Sequence, residues 1–159
     1  MRIRVQMIGA IFTAFLVSAC LVAHADDLSR KVTAHGLTVH YGVVPASKAA
    51  EADPTAASNA GGTRPNAYHL TVAIFDTATG KRVSDASVIA SVKGPRGYET
   101  HFHARPIRKH LDVDKAGNDV TYGNDFEMPW SGIYHVALAI TQKDQPKPTN
   151  IRFDYEHRY

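Results

Sequence analysis

From residue 37 onward, apolar side chains recur at every second position. Leu37, Val39, Tyr41 and Val43 alternate with polar or small neighbours, and Tyr68, Leu70, Val72 and Ile74 do the same. Val88, Ala90 and Val92 make a third set, Tyr134, Val136, Leu138 and Ile140 a fourth, and Ile151, Phe153 and Tyr155 close the chain. Tyr98, Thr100, Phe102 and Ala104 form a weaker run. A period of two sends alternate side chains to opposite faces, so each run predicts a strand with one buried face. No window sustains an apolar stripe at helical spacing, which predicts no long helix.

Turn-forming residues separate the runs at 76–81, 94–97 and 116–119, where Gly, Pro, Asn and Asp concentrate. Short strands at regular spacing predict an all-β domain, an immunoglobulin-like β-sandwich of about seven strands. Between the first two runs, Pro45 to Asn66 is dominated by Ala, Ser, Gly, Thr and Pro. Such a stretch has too little apolar surface to fix itself, and a mobile loop is expected at 45–66.

The first 25 residues have a different character. Arg2 and Arg4 are followed by an apolar stretch from Met7 to Val22 and then by Ala23-His24-Ala25. This is the three-part pattern of a secretory signal peptide, with cleavage expected after Ala25 and a single domain over 26–159. A second reading of the same segment is a lipoprotein leader, because Val17-Ser18-Ala19 precedes Cys20, the only cysteine. Cleavage after Ala25 leaves no cysteine, and with it no disulfide, thiolate metal site or cysteine nucleophile.

Charge narrows the class of partner. The chain carries +3 overall, and because Arg2 and Arg4 lie in the leader, the remainder has 16 Lys and Arg against 15 Asp and Glu. A nucleic-acid binder would show a concentrated basic stripe, and none is present. The expected partner is a periplasmic or inner-membrane protein.

Two stretches carry a resemblance. Residues 75–88 hold the spacing D-x-x-T-G-x-x-V-x-D-A-x-V, from Asp76 through Thr79-Gly80 to Asp85-Ala86 and Val88, found in many bacterial sandwich domains. Gly132-Ile133-Tyr134-His135-Val136 is similar to the G-x-Y-x-V strand entry of YtkA-like and FixH-like exported domains. That resemblance implies a sandwich fold and an association with membranes, respiratory-complex maturation and copper handling. The chain departs from a Met-rich copper carrier, since Met128 is the one methionine beyond the leader and thioether sulfur is what suits Cu(I).

Histidine is the supply of candidate ligands. Eight remain after His24 is removed, and His101 and His103, two apart on the weak strand, send both rings to one face. His69 and His135 sit out of phase with the apolar residues of their own runs and so also belong to outer faces. If the chain binds Cu(II), Zn(II) or Ni(II), His101 and His103 are expected to carry the site, with His69 or His135 as a third ligand; the other reading is that they are ordinary polar residues on outward strand positions. Asp112-Val113-Asp114 begins like a calcium loop but has Ala116 and Gly123 where oxygen ligands are needed. No Gly-x-Ser-x-Gly, His-Glu-x-x-His or His-x-x-Glu-His occurs, and no catalytic residue is assigned. Tyr122, Phe126 and Trp130 flank Gly123-Asn124-Asp125, read here as a turn, and are the candidate anchors for a protein partner. The readings that follow are a non-catalytic binding or accessory module and a histidine-based metal binder; an enzyme of unrecognised type ranks behind both.

Overall fold

A computed structural model describes residues 30–52, 64–95, 105–116 and 119–158. The chain enters through a short hairpin, β1 (Lys31–Ala34) and β2 (Leu37–Pro45). Its two-residue turn, His35-Gly36, has positive φ at both positions (52° and 79°), the backbone that matches the right-handed twist of paired strands. A seven-residue helix, α1 (Ala46–Ala52), follows. Six further strands complete the fold: β3 (Ala67–Asp76), β4 (Ser87–Lys93), β5 (Ile107–Ala116), β6 (Asp119–Glu127), β7 (Gly132–Gln142) and β8 (Gln145–His157).

All pairings are antiparallel, in the order β1-β2-β3-β6-β5-β4-β7-β8. β5 belongs to two layers. Its first half, Ile107 to Leu111, pairs with β4, and its second half, Asp112 to Ala116, pairs with β6. The sheet therefore turns a corner between Leu111 and Asp112 and curls into a nearly closed barrel. Across the remaining gap, Tyr41 of β2 stacks on Phe153 of β8 with ring centroids 4.0 Å apart, and the Arg30 guanidinium lies 5.6 Å from the Tyr155 ring.

The interior holds the alternating sets read from sequence. Leu37, Val39, Leu70, Val72, Ile74, Val88, Ala90, Val136, Leu138, Ile140 and Ile151 are buried together. The turn at 76–81 forms as expected: Asp76 Oδ1 accepts from the Thr79 amide at 2.8 Å and from its hydroxyl at 2.7 Å, with Gly80 at positive φ. These two bonds hold the Asp76 carboxyl below its usual pKa.

Two expectations change. Among the described residues there are eight strands in a barrel-like sheet rather than about seven in an immunoglobulin-like sandwich, because β5 and β6 form where turns and charge were read. Residues 46–52, inside the expected loop, are helical, as an Ala-rich stretch with a Lys48–Glu51 pair at 2.8 Å permits; 53–63 lie outside the described residues. The weak run at Tyr98 to Ala104 also lies outside them. No described helix is long and apolar enough to cross a membrane.

Candidate functional site

The antiparallel order collects the ends of β2, β4, β6 and β8 and the starts of β3, β5 and β7 at one end of the barrel. The strand ends joined by the connections 46–66, 94–106 and 128–131 all lie there. His69, three residues into β3, stands near this end on the outer face, since Leu70, Val72 and Ile74 take the inner one. It is nevertheless covered, with a side chain only 9% exposed.

What covers it is a pair of carboxylates from two other strands. His69 Nδ1 is 2.7 Å from Asp125 Oδ1, its direct partner in register on β6. His69 Nε2 is 3.3 Å from Asp114 Oδ2 on β5. Asp114 pairs with Thr121, so it stands diagonally across β6 from His69, and the two side chains meet over Gly123. Gly123 makes this approach feasible: a Cβ there would collide with both Asp114 Oδ2 and His69 Nε2. The Lys109 ammonium donates to the backbone carbonyl of Asp125 at 2.6 Å.

The other sequence-derived ligands fall elsewhere. His135 is on the outer face of β7 with its side chain half exposed, and Nδ1 is 2.7 Å from Asp154 Oδ1 of β8. β6, β5 and β4 separate β3 from β7, so His69 and His135 are not brought together. His101 and His103 lie outside the described residues, in the connection that leaves β4 at Lys93 and enters β5 at Ile107. Among the described residues, no three His, Cys, Asp or Glu side chains form a complete metal-binding set.

The aromatic anchors need correcting. Tyr122 and Phe126 are core residues, 0% and 1% exposed, and offer nothing to a partner. The reason is that β6 runs straight through Gly123-Asn124-Asp125 instead of turning, so alternation directs both rings inward. Trp130 is half buried in the connection to β7, where its amide donates to Tyr134 Oη at 3.3 Å and its carbonyl accepts from the same hydroxyl at 3.1 Å. Sequence reasoning missed Asp114, Gly123 and Asp125 as a group; the available signal was Gly123 between outward-facing polar residues, visible only once β6 is known to be a strand.

A second histidine is buried at the same end. His157, 2% exposed, packs edge-on to Tyr68 at 4.3 Å between ring centroids and lies within 6.0 Å of the Tyr134 and Tyr155 rings. Burial lowers its pKa, since the imidazolium form loses its hydration there.

No family model and no curated protein sequence matches the chain. Solved structures do share its fold. A DUF4426 family protein from Pseudomonas aeruginosa PAO1 superposes with a TM-score of 0.57 at 17% identity, over 80% of this chain and 92% of that one. FetP of uropathogenic Escherichia coli strain F11, isolated after expression in the periplasm, gives 0.54 at 13% identity over 80% and 91%. A copper-bound FetP variant gives 0.55 at 11% identity over 80% and 93%. At these identities the likeness is one of fold, and this chain is a β-barrel-like domain similar to the DUF4426 and FetP structures.

Proposed function

We propose that this chain is an exported, non-catalytic protein that binds a transition metal, Cu(II) or Zn(II), and serves as an accessory module to a periplasmic or inner-membrane partner. The observation that carries the reading is His69: an imidazole buried on the outer face of a sheet, with a carboxylate at each ring nitrogen. Outward positions of strands ordinarily hold solvated side chains, and a buried, oriented imidazole is the commonest protein ligand for these ions. Two further facts support it. One protein of the same fold has been solved with copper bound. The β4–β5 connection, whose sequence includes His101 and His103, leaves β4 at Lys93 and enters β5 at Ile107, both at the barrel end where His69 stands. Imidazole and carboxylate suit the divalent ions. The leader pattern supports export, with lipidation at Cys20 as the alternative mode of maturation.

Titration calorimetry on the untagged protein tests the reading. Stoichiometric binding of Cu(II) or Zn(II) is expected, reduced by His69→Ala and by His101→Ala/His103→Ala, and weakening as pH falls toward 5 because a ligating imidazole must be neutral. Weak association shared evenly over all the histidines would leave the binding-module reading without a metal.

A further inference from the structure

We infer that Asp114 and His69 are a chelating pair for a divalent ion, with Asp125 as the residue that orients the imidazole and Gly123 as the residue that makes room for the pair. This rests on the metal-binding reading above and gives it a location within the described residues.

The His69 ring makes two polar contacts, one at each nitrogen. A neutral imidazole has one N–H and one lone pair. The shorter contact, 2.7 Å from Nδ1 to Asp125 Oδ1, takes the N–H. Nε2 then presents its lone pair to Asp114 Oδ2, and two acceptors face one another at 3.3 Å. Something positive has to sit between them, either a proton or a metal ion. The distance is that of a long hydrogen bond, beyond the usual N–H···O range of about 2.7–3.2 Å, and a proton there is the alternative that the test below addresses. It is close to the roughly 3.3–3.4 Å that separates a nitrogen and an oxygen each about 2.0–2.1 Å from one ion at a near-tetrahedral angle. The order carboxylate, imidazole, ion is also how ligating histidines are commonly held, with the far ring nitrogen donating to an acid. Asp125 occupies that outer place.

The backbone shows why the pair exists at all. β3 and β5 are both neighbours of β6, so their side chains must span two strand spacings, about 9.6 Å, to meet. They do so directly above Gly123, whose register partners are Thr71 on one side and Asp112 on the other. Any larger residue at 123 would occupy the point where the nitrogen and oxygen converge. One nitrogen and one carboxylate oxygen favour Cu(II) or Zn(II) over Cu(I), which prefers sulfur. The sulfur of Met128 is no competitor, since that residue is wholly buried in the core.

Asp114→Asn separates a chelate from a structural ion pair. An asparagine amide can donate to Nε2, so a purely structural contact survives the change, while a metal loses its anionic oxygen. With Zn(II) and Cu(II) as probes on the untagged chain, Asp114→Asn is expected to bind at least tenfold more weakly than wild type at an unchanged apo melting temperature. Gly123→Ala should lose binding as well. The Cu(II) electron paramagnetic resonance spectrum of the wild type should show nitrogen coupling that His69→Gln reduces. Wild-type affinity in Asp114→Asn, with stoichiometric wild-type binding, would overturn the pair while leaving the metal-binding reading on other ligands. No wild-type binding would overturn both.

Discussion

Tyr122 shows what one hydroxyl does in this core. Its ring is fully buried, and its oxygen accepts from the Ala86 amide at 3.0 Å while donating to the Val83 carbonyl at 3.2 Å. The segment entering β4 has no strand partner for these two groups, so the phenol supplies what a ladder would. Burial raises its pKa, the phenolate being the form that suffers from lost hydration. Tyr122→Phe keeps the ring and removes both bonds. The expected cost is about 1–3 kcal/mol, the range for leaving buried polar groups without partners. Urea denaturation should show it as a lower midpoint with an unchanged slope. A midpoint equal to wild type would mean that water or a shifted backbone replaces the hydroxyl.

Individual strands differ in how plainly the sequence announces them, and the difference is physical. β3, β4 and β7 each bury one whole face against the opposite layer, and Leu70, Val72, Ile74, Val88, Val92, Val136, Leu138 and Ile140 are the alternation that results. β5 cannot show such a pattern. It leaves one layer for the other at Leu111, which is fully buried, while Val113, two residues on, is half exposed. Its Arg, Lys, His and Asp residues then read as a charged turn. β6 hides for another reason: Gly123-Asn124-Asp125 is turn chemistry in isolation, but here the glycine is required by side chains arriving from both neighbouring strands. The candidate site was therefore half legible, with His69 correctly placed on an outer face and its two acids recoverable only from the register. The end of β8 carries a prediction of its own. Since burial lowers the His157 pKa, the unfolded chain takes up a proton near pH 6.5 that the folded chain resists. The stability gained by burying the neutral ring is thus complete above about pH 6.5 and is lost as pH falls toward the lowered folded value. Melting temperatures measured from pH 8 to 5 should fall more steeply for wild type than for His157→Phe, and parallel curves would refute the assignment.

At the scale of the molecule, closure is the unusual term. Seven of the junctions between adjacent strands are hydrogen-bonded ladders, and the eighth, between the β1–β2 hairpin and β8, is held by side chains. β1 has four residues and β8 thirteen, so among the described residues most of the free edge of β8 has no strand to pair with. Tyr41 stacked on Phe153, with Arg30 over Tyr155, covers the seam instead, and the Arg30 carbonyl accepts from the Tyr41 amide at 2.8 Å, tying the start of the hairpin to the same ring. An aromatic pair of this kind contributes about 0.5–1.5 kcal/mol beyond the area it buries. That is small against global stability but large for a contact that closes a gap. Local opening draws on the least stable contacts of a fold, and the seam is where they lie. Phe153→Ala is therefore expected to accelerate amide exchange in β1, β2 and β8 well beyond any change in β6, β5 and β4, which lie on the far side of the barrel and keep both their ladders. Native-state hydrogen exchange followed residue by residue measures this. Uniform acceleration across all eight strands would show that the seam opens only with the whole domain, and that the barrel behaves as one cooperative unit despite its missing ladder.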